Sequence, residues 1–99
     1  MKRKNLIRKR TTPGEILNEE YLKPFGITQK KLADHIGVDI KVINRLVNGK
    51  TSISPALALK LASSFNTTPQ FWLNAQLAVD LDKAKRLGKK VLPLVLKAG

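Results

Sequence analysis

Ile40, Lys41, Asn44 and Arg45 fall on one side of a short segment whose other side carries Val38, Val42, Ile43 and Leu46, spaced to face a core. The outward set is rich in hydrogen-bond donors. A guanidinium or ammonium group donates to guanine O6 and N7, and a carboxamide matches the donor and acceptor edge of adenine. Lys41, Arg45 and Asn44 are therefore candidates for reading base edges in a major groove. Ile40 either meets a thymine methyl or packs on its own turn. Thr28 and Gln29, one helix earlier, are placed to donate to a phosphate, and Lys50, Thr51 and Ser52 could hold the backbone on the far side of Arg45.

Other chemistry finds little support. The 99 residues include no cysteine, which removes a disulfide framework, a cysteine-based zinc site and a thiol nucleophile together, and makes an intracellular, cytoplasmic location the default. His35 is the single histidine and has no partner at ligand spacing, so it reads as a surface or turn-packing residue. Carboxylates occur as neighbours or as i, i+2 pairs such as Asp80 and Asp82, which point to different faces of a helix. No enzyme activity, metal or cofactor is expected. The most apolar stretch, VLPLVL near the C-terminus, is six residues with a proline inside it, against the ~20 a membrane-spanning helix needs. The basic N-terminus lacks the apolar stretch of a signal peptide.

Charge is unevenly placed. The chain carries 19 Lys and Arg against 7 Asp and Glu, a net +12, which points toward a polyanion. Lys2, Arg3, Lys4, Arg8, Lys9 and Arg10 account for six positive charges, and Lys83, Lys85, Arg86, Lys89, Lys90 and Lys97 for six more. Residues 11–82 sum to zero. Within that neutral core, residues 28–52 are basic and residues 13–27 are acidic.

A chain of this length supports a single core. Helix punctuation recurs along it and strand-type alternation is nearly absent, so an all-α domain is expected. Thr12-Pro13-Gly14-Glu15 has the form of a capping box that opens a helix over about 13–22, stopped by the Pro24-Phe25-Gly26 turn. Thr28 caps a second helix ending at Gly37, and Asp39 caps a third ending at Gly49. Ser54-Pro55 starts a fourth, with Leu57, Ala58, Leu61, Ala62 and Phe65 on one face. Thr68-Pro69 starts a fifth that continues to Leu87. Residues 1–11 then form a basic arm, read as flexible, 12–88 the domain, and 89–99 a tail.

The fifth helix has two apolar stripes. Leu73, Leu77, Leu81 and Ala84 make one, and Trp72, Ala75 and Val79 the other, with Phe71 between them. A surface helix on a small monomer needs only one such stripe, so a homodimer is expected, with its contact on Leu73, Leu77, Leu81 and Ala84.

Residues 28–49, TQKKLADHIGVDIKVINRLVNG, have helix-turn-helix geometry: Ala33 allows a close helix approach and Gly37 supplies the turn. Gln29, Ala33, Gly37, Ile43 and Leu46, followed by Asn48-Gly49, resemble the phage-repressor-like (Cro-type, XRE) helix-turn-helix domains. Residues 13–33 and 53–81, with Phe-Trp-Leu-Asn-x-Gln at 71–76, resemble more narrowly the HigA (VapI-like) antitoxins of toxin–antitoxin modules. The resemblance implies a five-helix, lambda-repressor-like fold and a dimer that binds a near-palindromic double-stranded operator and represses its own operon. It also implies a partner, a HigB-type toxin that cleaves messenger RNA. A stand-alone repressor of the same fold is the alternative. Carried over, the DNA-reading face falls on Ile40, Lys41, Asn44 and Arg45, with Gln29 on the backbone; Asp39 stands where relatives have Ser or Thr.

Several features have a plainer reading. The arm is first a solvated terminus with sequence-independent attraction to phosphate, and only then a segment that lies along DNA. Glu15, Glu19 and Glu20 are first ordinary acids near a helix N-terminus, and only then a patch for a basic toxin. Trp72 and Phe71 read as core rather than as a base-stacking platform. The apolar tail is either a short edge strand or a strap across a partner.

Overall fold

The computed structural model describes residues 11–95. The readings placed on residues 1–10 and on the last four residues lie outside them. Thr12 opens the first helix, α1. Its Oγ1 accepts from the Glu15 N–H while the Glu15 carboxylate accepts from the Thr12 N–H, both at 3.1 Å. α1 is α-helical over Pro13–Ile16, π-helical over Leu17–Leu22 and α-helical again over Lys23–Phe25. It therefore continues past residue 22, where the sequence suggested a stop, runs through Pro24 and closes on Gly26 in the left-handed region. The widened turn lies directly before Pro24, which has no N–H to give and whose ring crowds the preceding turn, and the Lys23 N–H reaches back to the Asn18 carbonyl.

Four more helices follow: α2 (Gln29–Ile36), α3 (Ile40–Val47), α4 (Pro55–Phe65) and α5 (Pro69–Leu87). Each begins on a polar cap. Thr28, Asp39, Ser54 and Thr68 accept from the N–H groups of Lys31, Lys41, Leu57 and Phe71 respectively. No strand occurs among the described residues, so the architecture is the all-α, five-helix one expected.

The core draws one or more residues from every helix. Leu17, Ala33, Ile43, Leu46, Leu61 and Trp72 are all at or below 1% exposure. Trp72 is fully enclosed, and its indole N–H donates to Thr67 Oγ1 at 2.8 Å, which spares the cost of burying an unpaired donor. Tyr21 stands against both Phe65 and Trp72, with ring centroids 4.8 and 5.5 Å apart. Phe71 meets the Trp72 ring edge-on and stays partly exposed. Trp72 is thus core and unavailable for stacking on a base.

Along α5 the two stripes separate. Trp72 is buried and Ala75 and Val79 are half-buried, whereas Leu77 and Leu81 stand 54% and 50% exposed and Ala84 is exposed. Leu73 leaves its stripe and packs against the core. Beyond Gly88 the described tail has no regular structure, and Val91, Leu92, Leu94 and Val95 are all exposed. It forms no edge strand up to Val95. The acidic stretch is also committed locally: Glu15 closes the capping box and Glu19 pairs with Lys23 at 3.0 Å.

Candidate nucleic-acid interface

α3 is held by its apolar side. Ile43 and Leu46 are buried, Val38 and Val42 pack partly against the same cluster, and Ala33 of α2 lies at 1% exposure where the two helices approach. The turn between them needs Gly37, whose φ of 73° is costly for a residue with a Cβ. Asp39 Oδ1 accepts from the Lys41 N–H at 2.8 Å, so this carboxylate is engaged in capping. Seating that side turns Ile40, Lys41, Asn44 and Arg45 to solvent, and Ile40 keeps 43% of its surface exposed. The structure places Ile40 off its own turn, free to meet an apolar group.

Asn44 is oriented before any ligand arrives. Its Nδ2 donates to Gln29 Oε1 at 3.2 Å, and Asn48 Nδ2 donates to the Asn44 carbonyl at 2.9 Å. A carboxamide has two N–H donors and two acceptor lone pairs, so the Gln29 bond still leaves Asn44 one donor, and its oxygen stays on the opposite edge. Gln29, expected only as a backbone contact, is thereby a positioning partner of Asn44. Thr28 uses its hydroxyl to cap α2 and leaves that oxygen turned toward the Lys31 amide at 3.0 Å.

Past α3 the chain turns through Gly49. The Lys50 N–H returns to the Arg45 carbonyl at 2.8 Å and the Gly49 N–H to Leu46 at 3.0 Å, which fixes the start of the loop carrying Lys50, Thr51 and Ser52. Its other end is pinned by Gln76 of α5, whose Oε1 accepts from the Ile53 N–H at 3.0 Å. All three loop side chains are exposed.

Two residues that position this face were not singled out from sequence. Gln76 is one; a lone amide in an amphipathic helix carries no signal of its partner. Gly14 is the other. A Cβ on Gly14 would stand 1.8 Å from the Leu46 carbonyl oxygen and 2.9 Å from the Val47 Cα, so the first turn of α1 rests main chain to main chain on the last turn of α3. The signal was present: glycine inside a helix is disfavoured by ~1 kcal/mol against alanine, so its presence marks a close approach.

Thr12, Lys50, Thr51, Ser52, Asp80 and Lys83 line a cleft of about 220 Å³ at this junction. A second cleft, of about 340 Å³, opens between His35, Leu59 and Lys60 on another side. Among the described residues no group of His, Asp or Glu is arranged to hold a metal ion, and no helix is long and apolar enough to cross a membrane.

Comparison with known proteins agrees with this geometry. A helix-turn-helix family model matches residues 19–72. The chain is 46% identical to antitoxin HigA-1 of Vibrio cholerae over 74 residues, 75% of this chain and 70% of that protein. It is 42% identical to the HTH-type transcriptional regulator YbaQ of Escherichia coli K12 over 78 residues, 79% and 69% of the two chains. In three dimensions it is similar to Pseudomonas aeruginosa antitoxin HigA, solved with the higBA promoter. The TM-score is 0.80 at 33% identity, covering 88% of this chain and all of the other.

Proposed function

Because the chain belongs to the helix-turn-helix family and, within it, to the HigA-type antitoxins, we propose that it binds the operator of its own operon as a dimer and neutralises a HigB-type toxin by direct contact. The family is one of regulators rather than enzymes. The observation that carries the DNA half of the reading is the outward face of α3. A helix locked by Ile43 and Leu46 presents Lys41, Asn44 and Arg45 together, and the Asn44 amide is already oriented by Gln29. Pre-set side chains lose less conformational freedom on binding and discriminate better. Thr28, Gln29, Lys50 and Thr51 flank this face as backbone contacts. The solved complex of the Pseudomonas relative with promoter DNA supports the same use of the fold.

Two copies joined through Leu77 and Leu81 would present two such helices to a near-palindrome with half-sites about 34 Å apart. Toxin binding rests on family membership and is tested by purification of the chain with the product of a small neighbouring reading frame, acting together in the cytoplasm. Fluorescence anisotropy with the chain's own promoter checks the DNA half. Specific binding should exceed that to a scrambled duplex by at least ~10³ at physiological salt. Equal affinity for both duplexes would refute it. The likeness to YbaQ favours the second reading, a repressor with no toxin, which holds if operator binding is specific and no partner purifies with the chain.

A further inference from the structure

The twelve net charges lie outside the neutral core, and the fold determines where half of them enter. The first turn of α1 sits on the main chain of Leu46 and Val47 at Gly14, and Thr12 lines the same cleft as Lys50, Thr51 and Ser52. Residues 1–10, with six basic and no acidic side chains, therefore join the fold within a few residues of the end of α3. Lys83 of α5 lines the cleft as well. The one acid there, Asp80, accepts from Gln76 Nε2 at 3.0 Å. Like charges converge on one spot beside the base-reading helix, an arrangement that repels itself until a polyanion neutralises it.

We propose that residues 1–10 are a second DNA-contacting element that lies along duplex phosphates beside the half-site met by α3, with Lys50 and Lys83 at its root. The proposal rests on operator binding through α3. Ten extended residues reach at most ~33–36 Å, close to one turn of duplex, and the duplex offers one phosphate charge per ~1.7 Å. The arm thus has both the length and the charge to follow the backbone away from the major-groove contact. A protein partner for the arm would gain nothing from its being rooted at this end of α3.

The test measures operator affinity against salt for the full chain and for a variant carrying Lys2→Gln, Arg3→Gln, Lys4→Gln, Arg8→Gln, Lys9→Gln and Arg10→Gln. Each lost phosphate contact lowers the slope of log K against log salt by ~0.9, so six cations can remove ~5. The slope should fall by at least ~2 while preference for operator over scrambled duplex persists. A smaller change overturns the proposal and leaves the arm to a protein partner. Because the chain has no cysteine, Asn5→Cys in the full-length protein gives a single site for an iron chelate. Strand cuts should cluster beside the half-site; uniform faint cleavage overturns the placement. Absence of operator preference in the unaltered chain would instead refute the operator reading itself.

Discussion

The Asn44 side chain donates to Gln29 Oε1 at 3.2 Å, tying the base-facing side of α3 to the first residue of α2, fifteen positions earlier. The bond does not hold the domain together, since both residues lie at its surface, but it aims one reading group. Gln29→Ala should therefore weaken operator preference by ~1 kcal/mol and leave thermal stability nearly unchanged. A double-mutant cycle checks the cause. Gln29→Ala combined with Asn44→Ala should lose less than the sum of the two single losses, measured by anisotropy against operator and scrambled duplex.

Lys41 and Arg45 are exposed and make no contact that the fold needs. Lys41→Ala with Arg45→Ala should lower operator preference by ~1–3 kcal/mol for each lost base contact, while circular dichroism and toxin capture stay as in the parent. A double variant that still selects its operator would show that another surface reads the sequence.

Gly14 leaves no room for a side chain. Its added Cβ would overlap the Leu46 carbonyl at 1.8 Å, and that atom belongs to main chain that cannot swing aside. Gly14→Ala should destabilise the domain by ~1–3 kcal/mol or more in urea unfolding, against the small gain expected from helix propensity alone. The displaced end of α3 should also reduce operator affinity at temperatures where the variant remains folded.

Leu73 and Leu77 share a stripe in the sequence but have different surroundings. Leu77→Glu with Leu81→Glu should give a monomer by sedimentation with the fold retained, because both side chains are about half exposed in the single chain. Leu73→Ala should instead lower unfolding stability, by up to the ~2–5 kcal/mol typical of leucine truncation in a core. Retention of the dimer by the double variant would move the interface elsewhere.

Much of this protein was legible because its local signals are strong and agree. Thr12, Thr28, Asp39, Ser54 and Thr68 each stand where a helix must satisfy its first N–H groups, and each does so. The inward and outward sides of α3 followed from helical spacing, since a 3.6-residue period sorts side chains without knowledge of the partner. The far end of α1 was misread because a proline was taken as a stop, whereas a π turn carries the helix past it.

The sequence by itself determined the helices, their caps and the set of side chains that α3 offers to a groove, because capping and amphipathic spacing act over three or four residues. Only the tertiary structure decided which stripe of α5 faces its own core, that Gln29 holds Asn44, that Gln76 pins the loop after α3, and that Gly14 seats α1 on Leu46. Those are contacts between residues far apart in the chain, chosen by how five helices close around Trp72. The same packing brought the basic arm to the end of α3, which no count of charges could locate.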